Sequence, residues 1–235
     1  MSWKKQSRPR LKPRECRSHG CCCIGAKEEG VLAADANYNR QALADALRGF
    51  ARIARDMRRD VNQKVLLTGR PGCGKTTLIK RVVKNLSQRA AGFYTEDIRD
   101  RGIRVGFRLV TLDGGEGVLA HVDLETPERL GKYRLDLSAL ETVGVKAVRD
   151  AVRARQLVVI DEIGPMEIRS AMFRDAVNEV LESEVPLLAT IFARSLPFID
   201  AIKSRPDVTL IEVRRDNREA LVSELARRFQ TPNME

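Results

Sequence analysis

An α/β domain with a mostly parallel sheet, helices on both faces and an added antiparallel hairpin is what this sequence predicts, from three observations. Short runs of Val, Leu and Ile alternate with helical patterns from Lys64 to Phe229, as expected where a buried sheet is covered by helices. The first run passes straight into a glycine-rich loop followed by a helical pattern, VLLTGRPGCGKTT, Val65 to Thr77. A later run, LVVIDEIG, Leu157 to Gly164, ends in two adjacent carboxylates.

The chain is 235 residues long with 43% apolar residues, enough to fill a core. Its composition divides it into a leading segment, 1–60, and a domain, 61–235. Of 42 Lys and Arg, 14 lie in the first 60 residues against 7 Asp and Glu, so most of the net charge of +10 belongs to the leading segment. The start is rich in Lys, Arg and Pro, the composition of a solvated tail, which can touch nucleic acid or anionic surfaces. Cys16, Cys21, Cys22, Cys23 and His19 fall in that tail. Their crowding does not match the separated ligand pairs of zinc modules, so no metal is expected there. No long uncharged apolar run and no secretory leader is visible, which suggests a cytoplasmic protein without membrane segments. Leu43, Leu47, Phe50, Ile53, Ala54 and Met57 recur at helical steps and predict an amphipathic helix over Tyr38 to Arg59.

Lys64 to Thr68 reads as a buried strand, and Lys75 to about Ala91 as the helix after the loop. GFYTEDIR, from Gly92, is a second strand. GIRVGFRLVTL, the turn DGGEG and GVLAHVDL then read as antiparallel strands joined by a glycine hairpin. Ser138 to Arg155 is helical, Gln156 to Ile160 a strand, Met166 to Glu182 a helix and Val185 to Ile191 a strand. A short helix from Ser195 to Ser204, a strand from Val208 to Val213 and a helix from Asp216 to Phe229 complete the domain.

The spacing Gly69, Gly74, Lys75, Thr76 is that of a phosphate-binding P-loop. Gly69, Gly72 and Gly74 let the backbone turn its N–H groups inward, so that a ring of amide dipoles and the following helix start can hold a polyphosphate. Arg70, Pro71 and Cys73 complete the loop. Lys75 can reach the outer phosphates, the Thr76 hydroxyl can ligate a Mg²⁺ bridging them, and Thr77 can contact the innermost one. Leu157, Val158, Val159 and Ile160 place Asp161 and Glu162 at the carboxyl end of a central strand, before Ile163 and Gly164. Asp161 is the expected partner of the Mg²⁺ shell. Glu162 is the expected base for a water nucleophile. Thr190, at the end of the next apolar strand, could sense the outermost phosphate, and Arg194 could add positive charge.

GRPGCGKTTL, GFYTEDIR with GIRVGF, GKYRLDL, VIDEIGPME and DNREAL, in that order, resemble the motifs of the nucleoside-triphosphatase family first described in thermophiles. Its animal relatives are called cancer-related nucleoside-triphosphatases. The likeness runs from about Lys64 to Arg228; GFYTE and DEIGPME are specific to that family, whereas the P-loop is widely shared. The resemblance implies a RecA-like P-loop NTPase fold with added antiparallel strands, Mg²⁺, and slow hydrolysis of ATP, GTP, CTP and UTP to the diphosphate and phosphate. It also implies that Gly69 to Thr76 and Leu157 to Gly164 bind the nucleotide. Family members begin almost at the first strand, whereas roughly 60 residues precede it here. Two other readings stand beside hydrolysis: a nucleotide or polynucleotide kinase using the same loop, and a nucleotide-dependent nucleic-acid-binding module served by the basic tail. A guanine-specific switch is disfavoured, because no Asn-Lys-x-Asp segment occurs.

Overall fold

The structure is a computed structural model that describes residues 43–49, 63–87 and 89–230. The tail cysteines, and the predicted Tyr38 to Arg59 helix outside 43–49, lie beyond these residues. Residues 43–49 are helical, with Leu43 and Leu47 exposed and an Arg48–Asp45 ion pair one turn apart. Among the described residues no helix is long and apolar enough to cross a membrane.

The domain is one nine-stranded sheet. The strands are β1 (Lys64–Thr68), β2 (Ala90–Asp100), β3 (Ile103–Thr111), β4 (Glu116–His121), β5 (Arg129–Leu130), β6 (Tyr133–Leu135), β7 (Leu157–Ile163), β8 (Leu187–Ile191) and β9 (Val208–Glu212). Their order is β5-β6-β4-β3-β2-β7-β8-β1-β9. β2, β7, β8, β1 and β9 run parallel, and β3, β4, β6 and β5 add an antiparallel wing.

The helices are α1 (Lys75–Lys84), α2 (the continuous pieces Leu137–Ala139, the π-helical Leu140–Val145 and Lys146–Arg153), α3 (Ala171–Glu182), α4 (Pro197–Lys203) and α5 (Arg218–Arg228). Because successive side chains on a strand face opposite sides, each parallel strand feeds two cores. Val65 and Leu67 of β1, with Leu157 and Val159 of β7, pack beneath α1 and α5. Leu66, Val158 and Ile160 pack on the other face, against α2, α3 and α4. This doubled alternation is why β1 and β7 read as unbroken apolar runs.

Several boundaries differ from the sequence reading. The helix expected to reach Ala91 ends at Lys84, because Ala90 and Ala91 pair with Leu157 and Val158 as the start of β2. The helix expected from Met166 is broken: Glu167–Arg169 form a 3₁₀ turn, and Ser170, in extended conformation, caps α3 by accepting from the Phe173 N–H at 3.1 Å. The expected hairpin is larger, since GKYRLDL supplies β6, and the two residues before it form β5, so that both join the wing. β7 runs through Asp161 and Glu162 to Ile163 instead of stopping at Ile160.

From β1 the chain crosses to β2 on one side, and from β8 it crosses to β9 on the other. The reversal makes the carboxyl ends of β1 and β8 the switch point, the place whose crevice binds ligands in open α/β sheets.

Candidate active site

The P-loop spans this crevice from β1 to α1. Gly69 has φ +149°, and a Cβ there would lie 2.5 Å from the Val213 carbonyl oxygen. Gly74, the residue preceding α1, has φ +97°, and a Cβ there would lie 2.6 Å from the Arg218 guanidinium. Both positions need glycine for conformation, and Gly69 also for room, because its neighbour is backbone. Lys75 donates from Nζ to the Gly69 carbonyl at 3.3 Å, so its ammonium stays over the loop. Gly74 to Thr77 form the start of α1, whose unpaired N–H groups and dipole favour an anion.

β8 lies between β1 and β7, so the two carboxylates stand two strands away from the loop strand, with Thr190 in between. In register, Thr190 is opposite Leu67 of β1, and Asp161 is opposite Tyr94 of β2. Thr190 is fully buried, and its hydroxyl donates to Oδ1 of Asp161 at 2.5 Å. Its hydroxyl is thus engaged by Asp161. Arg194 is exposed beyond the end of β8.

Asp161 is 2% exposed, and burial pushes its carboxyl upward, opposed by the hydroxyls of Thr190 and Thr76 and by the Lys75 and Lys80 cations. Glu162 is half-buried. Burial raises it too, with Lys75 acting against the shift and Asp161 adding to it. Thus Lys75, Thr76, Asp161 and Glu162, predicted from two separate motifs, share one electrostatic environment.

Whether these residues suit a divalent ion is tested by the donors present. Oδ2 of Asp161 is buried and has no hydrogen-bond partner. The Thr76 hydroxyl is close enough to stabilise the ionised carboxyl. Among the described residues no group of three or more His, Cys, Asp and Glu side chains forms a protein-only cage. One hydroxyl and one carboxylate oxygen, completed by phosphate oxygens and water, is the sparse protein ligation that Mg²⁺ prefers in nucleotide sites. The donor set fits.

Three residues were given no role by the sequence reading, though Arg218 falls in DNREAL and Glu167 in DEIGPME. Arg218 lies on Gly74, as noted. Lys80, one helical turn beyond Thr76, sits 3.8 Å over the Tyr94 ring and donates to Glu96 at 2.7 Å; its spacing from Thr76 was a usable signal. Glu167 is buried under Gly164.

The profile of a family described as NTPase matches residues 64–226. The chain belongs to this NTPase family. The nucleoside-triphosphatase THEP1 of Thermotoga petrophila is 49% identical over 162 residues, covering 69% of this chain and 90% of that protein. The enzyme of the same name from Thermofilum pendens is 45% identical over 168 residues, covering 69% and 92%. Among solved structures, THEP1 from Aquifex aeolicus aligns with TM-score 0.64 at 34% identity over 69% of this chain and 96% of that one. A human cancer-related nucleoside triphosphatase aligns with TM-score 0.61 at 36% identity over 70% and 96%. The NTPase match covers the P-loop, both carboxylates and the antiparallel wing, and it begins at β1. As a member of this family the chain is a nucleoside-triphosphatase with a P-loop α/β fold.

Proposed function

We propose that this NTPase hydrolyses ATP, GTP, CTP and UTP to the diphosphate and phosphate, slowly and with Mg²⁺, and that residues 61–235 carry the activity. The observation that carries this reading is Glu162. It is a half-buried carboxylate at the crevice, beside the buried Asp161 and within the field of Lys75.

Each residue has a separable task. The loop amides from Gly69 to Gly74 and the start of α1 bind the phosphate chain, and Lys75 moves its ammonium from the Gly69 carbonyl to the outer phosphates. Thr76 and Asp161 are the groups that would hold Mg²⁺, with Thr190 fixing the rotamer of Asp161. When bound, the ion neutralises charge on the phosphate oxygens. Glu162 accepts hydrogen bonds from a water in line with the outer phosphoryl group and takes its proton as the new O–P bond forms. The leaving diphosphate oxygen stays on the loop amides. A loop without base-reading side chains accommodates several bases, because the contacts assigned here all go to phosphates.

Product analysis tests the reading. Incubation with each triphosphate and Mg²⁺, with no acceptor added, is expected to release free phosphate and diphosphate in equal amounts. Phosphate that appears only after an organic hydroxyl acceptor is supplied would replace hydrolysis with a kinase activity.

A further inference from the structure

The acidic motif contains a third carboxyl that the hydrolytic scheme leaves unused. Glu167 is 5% exposed, in the 3₁₀ turn that follows β7. The backbone amides of Gly164 and of Glu167 itself lie near enough to its carboxyl to favour the ionised form, against the larger effect of burial. No cation among the described residues forms an ion pair with it. The charged groups acting on it are Glu162 and Asp161, both acidic and both on β7. Burial and these two neighbours push the Glu167 carboxyl up to about 8, so it carries a proton at neutral pH and has an O–H to donate.

Its position relative to Glu162 is set by one glycine. A Cβ on Gly164 would lie 3.0 Å from Oε2 of Glu167, and 3.4 Å from both Cγ and Oε2 of Glu162. The two acidic side chains therefore converge on the same point above the Gly164 backbone. The turn is closed by the Ile168 N–H, which donates to the Gly164 carbonyl at 3.1 Å. Burying a carboxyl without a cation is costly unless its hydrogen bonds are met. A buried acid fastened to the turn next to the base is suited to hold that base in one rotamer.

We propose that Glu167 is a positioning residue for hydrolysis: its carboxyl, packed closely against Gly164, fixes the turn and keeps the Glu162 side chain aligned with the attacking water. The proposal rests on the reading of Glu162 as the base. Glu162 touches the water, and Glu167 acts only through Glu162. Loss of this support would misalign the base without touching the phosphate contacts, and a misplacement of this kind can cost about 10²-fold in rate.

The test compares Glu167→Met and Glu167→Gln in the full chain, measuring kcat, KM, the affinity for a non-hydrolysable triphosphate analogue with Mg²⁺, and Tm. Methionine fills the volume but lacks the polar end beside Gly164. It is expected to lower kcat at least about 10-fold while analogue affinity stays within about threefold. Glutamine keeps the shape and the polar end of the neutral buried acid beside Gly164, and should recover most of that loss. A folded Glu167→Met with unchanged kcat, or a Glu167→Gln as slow as the methionine variant, would overturn the proposal. Should the methionine variant not fold, Gly164→Ala reports on the same contact, since its new Cβ would lie 3.0 Å from Oε2 of Glu167 and push that carboxyl off the glycine. The same selective loss of kcat is expected there, and an unchanged kcat would refute it. Glu162→Gln, run alongside, separates the two readings. If it still hydrolyses, the base assignment has failed; if it is inactive while the Glu167 variants keep full kcat, only the positioning role has failed.

Discussion

Thr190 donates its hydroxyl to Oδ1 of Asp161 at 2.5 Å, and both side chains are buried. The bond joins β8 to β7 at the crevice and leaves Oδ2 of Asp161 as the oxygen without a protein partner. Under the proposed Mg²⁺ reading, Oδ2 is the end of the carboxylate left for the cation. Thr190→Val keeps the shape and removes the donor, leaving the buried oxygen unsatisfied at a cost of about 1–3 kcal/mol. A lower Tm and a several-fold higher Mg²⁺ concentration for half-maximal rate are expected. Thermal unfolding and a Mg²⁺ titration of the rate would show both, and an unaltered titration would separate Thr190 from ion binding.

Ser170 is placed to serve two partners. Its hydroxyl oxygen accepts from the Phe173 N–H at the start of α3, and its O–H donates to Glu141 of α2 at 2.7 Å. Ser170→Ala removes a buried cap together with an interhelical bond, and a loss of about 1–2 kcal/mol is expected in denaturant unfolding. Hydrolysis below the unfolding transition should be unchanged, because neither helix carries a residue of the proposed chemistry.

Glu167 links stability to pH. Its carboxyl is raised from 4.5 to about 8 in the folded chain, so the native state holds a proton that the unfolded chain releases earlier. The stabilisation from this proton is complete below the unfolded value and is lost progressively as pH rises to about 8. Wild-type stability should therefore fall relative to Glu167→Gln across that window, by a few kcal/mol at most (~1.4 kcal/mol per pH unit as the upper slope). Denaturant melts of both proteins at about pH 5 and pH 8 measure the difference. Parallel curves would mean that the group is ionised throughout.

Lys75 is the point charge of the loop, held over it by the Gly69 carbonyl. Lys75→Ala should weaken triphosphate binding and abolish turnover together, as calorimetry and phosphate release would record. Full hydrolysis by this variant would place the measured activity outside the crevice.

The P-loop and the acidic strand were legible in the sequence because their function fixes both residue type and spacing, and because strands buried on both faces leave unbroken apolar runs. Other features depended on contacts that spacing does not encode. Ala90 and Ala91 have helical propensity, yet pairing with Leu157 and Val158 makes them strand. β5 and β6, at two and three residues, are too short to show a period. The bond from Thr190 to Asp161 requires knowing that β8 lies between β1 and β7. Glu167 ends the DEIGPME motif but by spacing falls in the helix expected from Met166, and only the break at Ser170 turns it under Gly164.

The central claim is that Glu162 takes the proton of the attacking water. Glu162→Gln retains size and hydrogen bonding but cannot accept the proton, so its single-turnover hydrolysis of Mg²⁺-bound ATP is the most direct test. The account predicts a rate at least about 10²-fold below wild type, within the range of about 10²- to 10⁴-fold typical of general base catalysis, with triphosphate affinity changed by no more than a few-fold. Intact triphosphate should accumulate on the variant. Hydrolysis at the wild-type rate with unchanged affinity would contradict the account and remove Glu162 from the chemical step.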